Sequence, residues 1–273
     1  MRYNTTGNHN IGIGYLALDA NTEGDYNVAL GSAALTANTT GVKNVAIGDY
    51  ALDAITTGVN GSTAVGYQAL SDNTSGTGSA ALGYRALTSV TTGNNNCAVG
   101  YDAGANITTG GQNIAIGGFA IGSATMTGSD NTAVGYSALY AATTAGQCVA
   151  VGRDSLKALT TAANCTAVGY QALHAATTGR NTAFGSQALH DITTAGYCTG
   201  IGDHALWKCT GEKNTAVGYE SAVFTTSATN NTSLGTCSLN NTRPTVVSIN
   251  DLFPSSSVTL TLIIACKSAT PSL

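Results

Sequence analysis

Asn131-Thr132-Ala133-Val134-Gly135-Tyr136-Ser137-Ala138-Leu139 returns, with conservative changes, as Asn181-Thr182-Ala183-Phe184-Gly185-Ser186-Gln187-Ala188-Leu189. Working outward from these copies, one Gly anchors each unit: Gly14, Gly31, Gly48, Gly66, Gly83, Gly100, Gly117, Gly135, Gly152, Gly169, Gly185, Gly202, Gly218 and Gly235. Successive anchors lie 16 to 18 residues apart. That period is too short for helical-hairpin repeats. Thr, Val, Ile and Tyr enrichment with a Gly in every unit favours strand over helix. The expected fold is all-β, a parallel β-solenoid of about 14 coils of roughly 17 residues. The repeats cover 1–242, and 243–273 reads as a C-terminal β cap or assembly segment. There Val246 to Ile249 and Val258 to Cys266 look like two strands after Pro244 and Pro254. A solenoid needs its open end covered.

The residue before each anchor is apolar throughout: Ile13, Leu30, Ile47, Val65, Leu82, Val99, Ile116, Val134, Val151, Val168, Phe184, Ile201, Val217 and Leu234. One position earlier stands Ala29, Ala46, Ala64, Ala81, Ala98, Ala115, Ala133, Ala150, Ala167, Ala183 and Ala216. Strand alternation sends these two columns to opposite faces. The aliphatic column is expected to fill the coil as its structural core. The Ala column then faces out as a candidate interface for close packing of copies, most simply a three-fold bundle. The alternative for the Ala column is a narrow coil corner with no room for a side chain. Ala69-Leu70, Ala138-Leu139 and Ala172-Leu173 begin the opposite wall, with Leu inward. Thr-Thr-Gly makes the return turn, where Gly can take φ > 0.

Asn recurs four residues before the anchor, at Asn10, Asn27, Asn44, Asn96, Asn113, Asn131, Asn181, Asn214 and Asn231. Stacked coils would bring these into an amide ladder. Ser62, Ser79, Cys148, Cys165 and Cys198 take the place elsewhere, so the site is confined.

Composition narrows the function. Charged residues make up 9% and hydrophobic ones 43%, with net charge −4. Disorder fits poorly with so much apolar residue. No basic cluster tracks phosphates, so no nucleic-acid partner is expected. No apolar run of 18 residues exists, so no membrane insertion is expected. Met1 and Arg2 lead directly into repeat-like sequence without a secretory pattern. The repeat phrasing Asn-Thr-Ala-Val-Gly-Tyr and Val45-Ala46-Ile47-Gly48 resembles the head repeats of trimeric autotransporter adhesins and related repeats of phage tail fibres, over nearly nine-tenths of the chain. The resemblance implies a left-handed parallel β-roll that trimerises. It implies a rod on a virion or cell surface, extracellular, whose turns contact a receptor or glycan. The longer period and the lack of a coiled-coil stalk pattern leave viral and cellular origins level.

Chemistry is sparse. His174 and His190 lie five residues after successive anchors and should stack. Without carboxylate neighbours in their column they read as ladder residues, not metal ligands. Seven Cys carry no Cys-x-x-Cys pair. Cys148 and Cys165 fall on adjacent coils within disulfide range, or simply replace the ladder Asn. Asn-x-Ser/Thr sequons at Asn4, Asn38, Asn60, Asn73, Asn106, Asn164, Asn230 and Asn240 follow from composition. Gly110-Gly111 lacks the Lys of a phosphate loop. No catalytic residue, cofactor or metal is expected, and the chain is read as a structural fibre element. An ice-binding solenoid is the alternative, since Thr-rich coils can present a flat Thr array.

Overall fold

The computed structural model describes residues 2–239, apart from Thr57, Thr178, Thr225, Thr226 and Ala228. The expected C-terminal segment 243–273 lies outside the described residues. Fourteen three-residue strands, from Ile11–Ile13 to Thr232–Leu234, form one parallel sheet in strict sequence order. Each strand supplies one coil of a β-solenoid. Equivalent positions pair in register along the stack: Val45, Ala46 and Ile47 against Thr63, Ala64 and Val65, and Thr132, Ala133 and Val134 against Val149, Ala150 and Val151.

The anchor glycines are fixed by sterics. Gly66 has φ of 138°, and a Cβ there would lie 2.2 Å from the carbonyl oxygen of Gly83 in the next coil. No larger residue fits without moving backbone, and an L side chain would also strain that dihedral. The column therefore keeps coil on coil at strand spacing.

On both sides of the anchor the chain enters left-handed backbone. In the coil of Gly135, Asp130, Ser137 and Leu139 have φ of 62°, 53° and 53°. Each left-handed residue costs on the order of 1–3 kcal/mol and persists only where its surroundings impose it. Here hydrogen bonds between coils impose it. The Ser137 N–H donates back to Gly118 O at 3.0 Å, and the Leu139 N–H donates forward to Ser155 O at 2.9 Å. Within the turn, the Ala138 N–H closes onto Gly135 O at 3.3 Å.

The two strand columns have the reverse of the expected polarity. The middle residue of each strand points inward: Ala29, Ala46, Ala64, Ala98, Ala115, Ala133, Ala150, Ala167, Ala183 and Ala216 are fully buried, and Ala81 nearly so. The aliphatic column points outward. Ile13, Leu30, Ile47, Leu82, Val99, Ile116, Phe184, Ile201 and Leu234 are exposed, and Val65, Val134, Val151, Val168 and Val217 are half-buried. The alternation was read correctly, but inside and outside were exchanged. The coil is too narrow for two aliphatic walls. Leu18, Leu35, Leu52, Leu70, Leu139 and Leu173 come from the opposite wall and occupy the interior as expected. They leave room only for a methyl across from them. Gly200 replaces Ala in the middle of its strand, and a Cβ there would sit 3.1 Å from Leu189 Cγ. The Ala column is thus the narrow wall of the coil and is inaccessible to another copy.

Candidate interaction face

The outward side of the sheet is the most unusual surface of the described residues. Every strand presents its first and third residues to it. In the first half of the chain both are largely aliphatic, as in Ile11 and Ile13, Val28 and Leu30, Val45 and Ile47, and Ile114 and Ile116. Towards the C-terminus the first position becomes Thr in Thr166–Val168, Thr182–Phe184, Thr199–Ile201 and Thr215–Val217. Charged side chains are absent from these strands. The sheet therefore carries an uncharged, largely apolar stripe through its fourteen strands.

An aromatic run borders the stripe. Tyr67 and Tyr84 stack at 5.4 Å between ring centroids, and Tyr84 and Tyr101 at 5.1 Å. Tyr50 joins one end edge-on at 6.2 Å, and Phe119 and Tyr136 continue the other at 5.4 Å and 5.9 Å. Arg153 lies over the Tyr136 ring at 5.7 Å and closes the run. Stacked rings cover each other's faces, so the run offers edges and phenol hydroxyls, not flat platforms.

The amide ladder forms inside. The Asn27 N–H donates to Asn10 Oδ1 at 2.9 Å and the Asn44 N–H to Asn27 Oδ1 at 3.0 Å. The ladder also reaches across the coil, because Asn27 Nδ2 donates to Gly41 O at 2.7 Å and Asn131 Nδ2 to Ala145 O at 2.9 Å. The amides of Asn27, Asn44 and Asn131 are thereby satisfied, which a narrow apolar coil requires. A second ladder at Asn4, Asn21 and Asn38 was not anticipated. Asn21 Nδ2 donates to Asn4 Oδ1 at 2.9 Å, and Asn38 Nδ2 to Asn21 Oδ1 at 2.8 Å. Its signal was available as Asn at a fixed offset in the Ala-Leu half-turn. The signal fades because Ile55, Val90, Ile107 and Leu159 take over the column.

Cys148, Cys165 and Cys198 replace the ladder Asn as buried thiols. Cys165 Sγ–H donates to Gly179 O at 2.9 Å and Cys198 Sγ–H to Gly211 O at 3.3 Å, which is the Asn pattern with sulfur. His174 and His190 stack at 4.9 Å with rings 4° from parallel. The imidazole of His174 is held below the ordinary histidine range, first by burial, then by His190 and Lys157. Among the described residues no group of three or more His, Cys, Asp or Glu could hold a metal ion, and no helix is long and apolar enough to cross a membrane.

The first Thr column of the return turn is internally committed. Thr74 Oγ1 donates to Thr91 O at 3.0 Å, Thr143 Oγ1 to Thr160 O at 3.0 Å, and Thr177 Oγ1 to Thr193 O at 3.1 Å. Comparison with family models, with curated proteins and with solved structures returns no match.

Proposed function

We propose that this chain is a shaft element of an extracellular fibre, on a virion or a cell surface, and that its copies assemble side by side through the outward aliphatic face. The observation that carries the reading is the uncharged apolar stripe along every strand. Contiguous apolar surface of this extent is rare on a monomer and marks an interaction site. A stripe that recurs in every coil is self-complementary when copies run parallel, so three chains packed about one axis bury all three stripes. Fourteen coils at about 4.8 Å each give a shaft of roughly 65–70 Å. The role is structural, with no catalytic step, and the exposed turns are left for contact with a receptor or glycan.

The committed Thr hydroxyls weigh against the ice-binding alternative. Their protons serve the neighbouring coil's carbonyls, and the turn that holds them varies in length. Sedimentation equilibrium tests the proposal. The chain should sediment as a trimer at micromolar concentration, and Val99→Lys with Ile116→Lys and Val134→Lys should give a folded monomer. A monomeric parent chain would refute the assembly.

A further inference from the structure

In some coils two inward side chains from opposite walls meet at one turn carbonyl. In an early coil these are Asn27 and Asn38, whose Nδ2 groups both donate to Gly41 O, at 2.7 Å and 3.2 Å. In the coil anchored by Gly202 the same two places are Cys198 and Cys209. Both Sγ–H groups lie 3.3 Å from Gly211 O. Both residues are buried, and their thiols are hydrogen-bonded to one another. Asn214 Nδ2 donates to Cys209 Sγ at 3.2 Å. Asn214 Nδ2 also donates to Gly211 O at 3.0 Å, so the turn carbonyl keeps an amide donor and does not depend on the thiols, which are weak donors. What a thiol pair offers there, and an amide pair does not, is a covalent bond.

We infer that Cys198 and Cys209 form an intrachain disulfide that locks the coil anchored by Gly202 when the chain meets a low-molecular-weight disulfide such as oxidised glutathione. In the first step a Cys198 or Cys209 thiolate attacks one sulfur of the oxidant. The oxidant's S–S bond breaks, one small thiolate leaves, and a mixed disulfide remains on the protein. The second cysteine, deprotonated, then attacks the protein sulfur of that mixed disulfide and expels the second small thiolate. Two protein S–H bonds and one oxidant S–S bond are lost. One protein S–S bond is formed, the protein is oxidised by two electrons, and two small thiols are produced. The folded thiol of Cys198 is pushed up by its hydrogen bond to Cys209 and by burial, so attack runs from the opened coil, during folding or local opening.

Geometry separates this pair from Cys148 and Cys165. The Cys148 and Cys165 thiols also hydrogen-bond one another, but they stand in one column on adjacent coils and their Sγ–H groups serve different carbonyls, Ala162 O at 3.5 Å and Gly179 O at 2.9 Å. Cys198 and Cys209 approach from facing walls onto a shared oxygen.

Trypsin cuts after Lys208 and so places the two cysteines on different peptides, 181–208 and 209–213. The full chain is incubated with oxidised glutathione, quenched in acid, alkylated and digested. We expect one species joining 181–208 to 209–213, which dithiothreitol separates. Reduction should also speed amide exchange at residues 198–213 and leave residues 28–99 unchanged. Cys198→Asn with Cys209→Asn restores the pair found at Asn27 and Asn38 and should fold without the linked species. Full alkylation of both cysteines after oxidation, or linkage of peptides 86–153 and 158–180 in place of the expected pair, would overturn the inference.

Discussion

Leu139→Ala separates the inward wall from the outward one. Leu139 is fully buried, faces the Ala column and holds a left-handed φ of 53°. The substitution removes three carbons. At about 0.8 kcal/mol per buried CH₂, transfer alone accounts for roughly 2.4 kcal/mol. The cavity adds to this, because the ladders above and below restrain collapse, so a total of about 3–4 kcal/mol is expected within the usual range of roughly 2–5. The backbone bond from Leu139 N–H to Ser155 O survives, and Ala gains no relief in the left-handed region. A solenoid coil touches only its neighbours, so the loss should stay local. Native-state hydrogen exchange is the assay. Amides in about residues 118–156 should exchange some hundredfold faster, and those of residues 28–82 should not change. Val134→Ala on the outward side should cost the isolated coil less than about 1 kcal/mol, since Val134 is only half-buried there. Equal effects from the two substitutions, or a uniform loss across the chain, would refute the assignment of inside and outside.

Other perturbations probe other columns. Gly66→Ala should destabilise its own and the following coil by several kcal/mol, because its Cβ would meet the Gly83 oxygen at 2.2 Å, and a circular-dichroism melt would show a lowered or split transition. Asn131→Ala should cost about 2–4 kcal/mol in chemical denaturation, since it strands the carbonyl of Ala145 and the N–H of Cys148. Acid should weaken the stack near His174. Its folded pKa is depressed, so the unfolded chain binds the extra proton. The penalty is absent above the ordinary value of about 6.5 and grows as pH falls through it, then levels off below the folded value. His174→Gln should flatten that slope in melts between pH 7 and 5.

Much of the architecture was legible because the repeat is so regular. The anchor glycines and the apolar residues before them gave the coil boundaries, the strand positions and the parallel register. The Asn four residues before the anchor gave the ladder. Polarity was not legible by the same route, since period-two alternation says that Val134 and Ala133 part company but not which of them goes in. The deciding quantity is coil width. It is set by Leu139 and its equivalents together with the left-handed turns that bring them close. A signal for those turns does exist in the sequence: the interior position four residues after the anchor is almost always Leu, and scarcely ever the β-branched Val or Ile that would resist φ > 0. For this reason the Ala column, expected outside, lies inside, and the aliphatic column lies outside. The Cys198 and Cys209 contact has no signal in the repeat, because the two belong to different columns and only closure of the coil brings them together.

Solvent access to the outward column tests the assembly most directly. Hydroxyl-radical footprinting of the intact chain at micromolar concentration labels side chains that water reaches. In a lone chain Leu82, Val99 and Ile116 are exposed at 51%, 38% and 38%, and Tyr197, in the turn beside Arg180, at 60%. We expect Leu82, Val99 and Ile116 to be protected while Tyr197 is labelled, with protection lost in the Val99→Lys, Ile116→Lys and Val134→Lys variant. Strong labelling of Leu82, Val99 and Ile116 in the parent chain would contradict the proposal that copies cover this face.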